Sequence, residues 1–278
     1  MTAPDLIRKK ARGEKIAMLT AYDASMARLL DEAGIDVLLV GDSLGMVVMG
    51  LQGTVAVTME NMVHHIQAVM RGCKTALVVG DMPFMSYNTS IREAIANAGR
   101  LMKEGGCDVV KLEGGVYFAP TVQAIVKAGI PVQGHIGLTP QTASALGGFK
   151  MQGKDAAAAK QIIDDAKALE DAGAFSLILE AVPAPLGKLV AESVRIPVIG
   201  IGAGPDVDGQ VLVTHDMVGL FDRFVPKFVK QYTKIRPVIL DALQAYKQEV
   251  LEVKFPAAEH SFKMPEDTLK QLKKMVKG

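Results

Sequence analysis

Residues 37–46 read VLLVGDSLGM, four apolar residues running into Gly41 and then presenting an aspartate and a serine. An apolar run without polar alternation is what a parallel strand buried on both faces requires. Gly-Asp-Ser alone is ordinary turn chemistry. Its weight comes from recurrence. Short apolar runs return at Ile16–Leu19, Ala76–Val79, Val109–Leu112, Val132–Gly134, Ser176–Leu179, Val198–Ile201 and Val211–Val213. With Val37–Val40 they make eight expected strands.

Helical periodicity fills the intervals: Tyr22–Ala33, Met59–Arg71, Ile91–Lys103, Thr121–Lys127, Ala156–Ala172 and Leu186–Glu192 are expected helices. Several end on a shared stop signal, AGI at 33–35, EGG at 104–106, AGI at 128–130 and AGA at 172–174, where glycine suits the position just past a helix end. Eight strands with intervening helices predict an α/β fold, a (β/α)₈ TIM barrel, in preference to an open sheet. The seventh and eighth strands are joined by a short, poorly helical stretch, the weakest point of that count. One domain is expected over 1–278, with a barrel core at about 15–220 and C-terminal helices and tail at about 226–278, which pack outside the barrel.

Composition narrows the function. Thirty-one basic residues against 30 acidic leave a charge of +1, no footprint for nucleic acid or an anionic membrane. The basic tail from Lys270 to Lys277 reads as a solvated helix end. No apolar run approaches the roughly 18 residues of a membrane span, and the first residues do not resemble a signal peptide. Cys73 and Cys107 make neither a disulfide framework nor a metal quartet, and suit a reducing compartment. A cytoplasmic enzyme is the expectation. With aromatics scarce, the core must be aliphatic.

In such a barrel the active site forms at the carboxyl ends of the strands. Taken in order, those ends supply Asp42-Ser43, Asp81, Lys111 with Glu113, His135, Glu180 and then Gly200-Ile-Gly202-Ala-Gly204. Asp42, Asp81 and Glu113 are hard oxygen donors suited to Mg²⁺. Singly, each is as well explained as a turn residue or helix cap; together on successive strand ends they are not. Lys111 either pairs with a substrate carboxylate, attacks a carbonyl as a Schiff-base nucleophile, or neutralises its acidic neighbours. Glu180, followed by Ala, Val and Pro, sits where a raised pKa would suit a general base, though a paired structural glutamate is nearly as common. His135 alone is better explained as a structural histidine. His64 and His65, adjacent on a helix, point apart and do not make a joint metal site. The glycines of 200–204 allow close approach of a ligand or a neighbouring helix.

Eight stretches in order then resemble one family. They are LLVGDSLGMVVMG (38–50), DMPFMSY (81–87), VKLEGG (110–115), GHIGLTPQ (134–141), LILEAVP (177–183), IPVIGIGAG (196–204), DGQVLVTHD (208–216) and EHSF (259–262). Together they resemble the ketopantoate hydroxymethyltransferase family over roughly residues 3 to 262. The resemblance implies hydroxymethyl transfer from 5,10-methylenetetrahydrofolate to 3-methyl-2-oxobutanoate, giving ketopantoate on the route to pantothenate and coenzyme A. It implies Mg²⁺ at Asp42, Asp81 and Glu113, keto-acid binding by Asp42, Ser43, Asp81 and Lys111, and Glu180 as general base. His135 falls on a family histidine near the substrate. A homodecamer is also implied. Residues 263–278 lie beyond the resemblance and carry no assigned function.

Overall fold

The computed structural model describes residues 1–145 and 147–277. They fall into two compact units, Met1–Tyr232 and Thr233 onward. In the first, eight strands close in sequence order: β1 (Ile16–Thr20), β2 (Val37–Val40), β3 (Leu77–Asp81), β4 (Val109–Glu113), β5 (Val132–Gly137), β6 (Ser176–Glu180), β7 (Val198–Ile201) and β8 (Gly209–Leu212). All pairings are parallel, and β8 returns to β1 with Ile16 opposite Gly209. The expected barrel is the observed fold. The strands reach further than their apolar runs indicated, because polar residues such as Asp81, Glu113 and Glu180 are still paired in the sheet. The last strand begins two residues earlier than expected, where the ladder to β1 fixes it. Between β7 and β8 there is no helix.

Alternation along each strand separates two cores. Met18, Val37, Leu39, Val79, Val109, Ile178, Ile199 and Val211 fill the barrel interior. Their neighbours Leu38, Val40, Val78, Val110, Leu112, Leu177 and Val198 face the helical layer. That layer comprises α2 (Ala24–Glu32), a one-turn α3 (Leu44–Val47), α4 (Met59–Gly72), α5 (Ile91–Arg100), α6 (Ala119–Lys127), α7 (Ala156–Asp171), α8 (Ala184–Ser193) and α9 (Thr214–Met217). The helix over 91–103 changes character at Leu101, continuing as a π-helical turn to Gly105. Four of the five glycines in the helix stop signals take positive φ, Gly34 (75°), Gly106 (91°), Gly129 (89°) and Gly173 (95°), while Gly105 ends the π-helical turn.

Besides the one-turn α3 and α9, one longer helix escaped the sequence reading, α1 (Ala3–Ala11). Thr2 and Asp5 cap its start, and its Leu6 is fully buried among the interior residues of the barrel. Lys10 Nζ then donates to the carbonyls of Ala191, Val194 and Ile196 at 2.9–3.0 Å and lies 2.9 Å from Asp208 Oδ2. The second unit holds α10 (Ile235–Leu251) and α11 (Glu266–Lys277) around a short 3₁₀ turn at Ala258–His260. Residues 226–234, expected to be helical, contain no helix. No helix among the described residues is long and apolar enough to cross a membrane.

Asp31, at the end of α2, ties the helical layer to β3. Its Oδ1 accepts the amides of Thr75 (2.9 Å) and Ala76 (2.8 Å) and the Thr75 hydroxyl (2.8 Å), and its Oδ2 accepts the Lys74 amide (3.1 Å). Burial alone would raise its pKa, but these donors hold it well below the usual carboxylate range. A depressed carboxyl adds stability above its unfolded value near 3.8, lost as pH falls from there toward the folded value. Asp31→Asn should therefore lower stability at pH 7 by about 1–2 kcal/mol after allowance for solvent screening. In urea titrations the gap from wild type should shrink at pH 3; a pH-independent gap would refute this account.

Candidate active site

The inward parity that buries Leu39, Val79 and Val109 at the middle of the barrel carries polar residues one step higher. Asp81 follows Val79 by two, Lys111 and Glu113 follow Val109, and Glu180 follows Ile178. Strand register then sets the lateral neighbours: Asp81 lies opposite Lys111, Glu113 opposite His135, and Glu180 opposite Gly137. Asp42 follows β2 directly, and Ser43 starts α3. All seven residues singled out in the sequence, Asp42, Ser43, Asp81, Lys111, Glu113, His135 and Glu180, line one cavity of about 840 Å³.

Charge is concentrated and buried there. Lys111 Nζ donates to both oxygens of Asp81, at 2.7 and 2.8 Å, and lies 3.7 Å from Glu113 Oε1. Burial opposes the ammonium, but Asp81, Glu113 and Asp42 outweigh it and hold Lys111 protonated. His135 sits between two carboxylates, Nδ1 3.4 Å from Glu113 Oε1 and Nε2 3.2 Å from Glu180 Oε2. Neither contact is aligned as a hydrogen bond. Burial and Lys111 would each lower the imidazole pKa; the two glutamates prevail and raise it to about 9. The apolar surroundings expected for Glu180 are thus replaced on one side by a cationic ring.

Burial, then repulsion from Asp81 and Glu113, pushes the Asp42 carboxyl well above its ordinary value. Four carboxylates, Asp42, Asp81, Glu113 and Glu180, face two cationic groups, and Glu113 Oε1 has no hydrogen bond. A divalent cation would relieve that excess, and the hard oxygen donors fit magnesium, which takes one or two carboxylates and completes its shell with water and substrate oxygens. Among the described residues no cluster of three or more His, Cys, Asp or Glu is arranged as a ready-made cage.

Several supporting residues were invisible in the sequence. Gln141, in the turn after β5, donates from Nε2 to Asp42 Oδ2 and to Met82 O, both at 2.9 Å. Its amide donates to Glu113 Oε2 (3.0 Å), and its Oε1 accepts the Tyr87 hydroxyl (2.7 Å). The only hint was its place in GHIGLTPQ. The Tyr22 hydroxyl shares a hydrogen bond with Ser43 Oγ at 2.8 Å. Asp216 also lines the cavity; burial pushes its carboxyl up to about 6. The 200–204 glycines resolve toward packing, since a Cβ on Gly202 would strike Phe228 and one on Gly204 would strike Ala184 of α8. His65 Nδ1 lies 2.7 Å from the Tyr22 carbonyl, and the His64 and His65 rings are edge-on, so they form no metal pair.

A parallel barrel that spends stability on a buried, ionised rim at its strand ends is an enzyme of the TIM-barrel class. The chain belongs to the ketopantoate hydroxymethyltransferase family, whose model matches residues 1–258. Its relatives include the 3-methyl-2-oxobutanoate hydroxymethyltransferases of Desulfotalea psychrophila, 59% identical over 94% of both chains, and of Moorella thermoacetica, 58% identical over 95% of this chain and 98% of the other. The fold also resembles more distant barrels. A phosphoenolpyruvate phosphomutase from Streptomyces platensis subsp. rosaceus has TM-score 0.62 at 16% identity, covering 100% of this chain and 96% of that one. A 2,3-dimethylmalate lyase of the PEP mutase/isocitrate lyase superfamily has TM-score 0.61 at 14% identity, covering both chains fully.

Because Gln141 satisfies four buried groups at once, Gln141→Ala strands Asp42, Met82 O and the Tyr87 hydroxyl together. Unfolding in urea should show a loss of about 2–4 kcal/mol, and a loss below about 0.5 kcal/mol would show that these contacts are dispensable.

Proposed function

We propose that this chain transfers a hydroxymethyl group from 5,10-methylenetetrahydrofolate to 3-methyl-2-oxobutanoate, forming 2-dehydropantoate (ketopantoate) for pantothenate and coenzyme A synthesis. The observation that carries the reading is the convergence of seven motif residues on one cavity in a member of this family. Asp42, Asp81 and Glu113 are the carboxylates that would hold Mg²⁺. When bound, the ion supplies electrophilic polarisation of the keto oxygen, which acidifies the neighbouring C3–H. Ser43, with its hydroxyl oriented by Tyr22, and Lys111 bind the keto acid, the lysine offering its ammonium to the substrate's negative end. Glu180 takes the C3 proton. His135, cationic and 3.2 Å from Glu180, holds that carboxylate in place.

The proposal extends to a cytoplasmic location, which suits the two free cysteines, and to a homodecamer. The second unit supports self-association: Val238, Leu243, Tyr246 and Leu251 of α10 are exposed, and the helix buries no residue.

The direct test is ketopantoate formation from 3-methyl-2-oxobutanoate with and without methylenetetrahydrofolate. Chelation with EDTA, or Asp42→Ala or Asp81→Ala, should abolish turnover; full activity after rigorous chelation would remove the metal from the account. Lys111→Arg should retain some keto-acid binding and Lys111→Ala lose most of it, whereas a borohydride-trapped adduct on Lys111 would reveal covalent catalysis instead. In D₂O, NMR should show wild-type exchange of the C3 hydrogen and a fall of about 10²-fold or more in Glu180→Gln. Undiminished exchange would assign the base elsewhere.

A further inference from the structure

The cavity is larger than its charged floor needs. At about 840 Å³ it matches a drug-sized ligand and far exceeds a five-carbon keto acid. The remaining wall is largely apolar and includes Phe149, Phe224 and Phe228, all exposed. Polar side chains interrupt it, among them Lys150 and Lys227 and two buried groups with unspent hydrogen-bonding capacity. Thr54, 4% exposed, has an Oγ1 with no partner, and Asp216, 7% exposed, has an Oδ1 with none.

Asp216 is the more telling of the two. Its backbone is fixed: the amide donates to Val213 O (3.1 Å), and the carbonyl accepts Gly219 N–H (3.1 Å) and Gln231 Nε2 (3.3 Å). The fold therefore invests in placing this residue and leaves Oδ1 of its carboxylate without a partner. A buried carboxylate oxygen without a donor is destabilising and asks for an explanation. Among the described residues no cationic side chain pairs with it.

We propose that Asp216 anchors the aminopyrimidinone edge of the reduced pterin in the one-carbon donor, an inference that rests on the function proposed above. The ring N3–H and the exocyclic 2-amino group are parallel donors, and one carboxylate accepts both in the fork geometry that guanidinium groups use. The apolar wall supplies surface for the flat ring. The donor thereby enters the same cavity as the keto acid while gripping a different part of it. The barrel itself, through α9 behind β8, provides the ring's recognition group.

Isothermal titration with tetrahydrofolate under anaerobic conditions tests this on the intact chain. Asp216→Asn should weaken tetrahydrofolate binding by about 30-fold or more, while keto-acid affinity stays within about twofold. The wild type should bind a 2-desamino analogue correspondingly less well, a comparison that needs no variant. The subsite is refuted if Asp216→Asn binds tetrahydrofolate within about threefold of wild type, if it loses keto-acid affinity equally, or if wild type fails to discriminate against the desamino analogue. Failure of the wild type to bind tetrahydrofolate at all would overturn the proposed function as well. Normal ketopantoate synthesis with an indifferent Asp216 would overturn the subsite alone.

Discussion

Closure of the barrel is the constraint on which everything else depends. Each strand must satisfy both edges, so β1 pairs with β2 on one side and β8 on the other. Once parallel strands are closed, all their carboxyl ends meet at one rim. Register then decides who stands beside whom. Asp81 beside Lys111 and Glu113 beside His135 are consequences of ladder pairing, and they bring together residues that are 30 and 22 positions apart in the chain.

That rim works against the stability of the fold that builds it. Ionised side chains removed from water must find compensation, and removing one partner of a buried pair leaves an uncompensated charge. The compensation here is lateral. Lys111 serves Asp81, His135 lies between Glu113 and Glu180, and Gln141 bridges Asp42 and Glu113. Asp42, Asp81 and Glu113 remain crowded even so, and a divalent cation there would relieve their mutual repulsion. Aliphatic layers beneath, around Val79, Val109 and Ile178, keep the charged layer in place without competing for its hydrogen bonds.

The sequence made the barrel legible because buried parallel strands and their helix stops follow local rules. Asp42, Asp81, Glu113 and Glu180 were readable for the same reason, each closing an apolar run. Gln141 and Tyr87 were not, since what matters about them is a contact between two loops whose approach no local pattern records. Asp216 lay inside a quoted motif, yet its missing partner is visible only when its surroundings are known. The helix α1 was overlooked because its nine residues include four charges and bury a single side chain, Leu6. Its Thr2 and Asp5 cap was the available clue. The eighth strand was displaced by two residues because β1, not its own composition, sets where it begins.

The anchoring of Lys10 has a bearing on how the chain is made. Its ammonium binds carbonyls at Ala191, Val194 and Ile196, the first of them 181 residues downstream. At about 5–20 residues per second a ribosome needs on the order of 10–40 s to produce the acceptors. Throughout that interval α1 lacks these anchors, and Leu6 lacks interior neighbours from β6, β7 and β8. Until β8 is made and pairs with β1, the apolar strands that will line the interior stay uncovered, the period in which a chaperone would have most to shield.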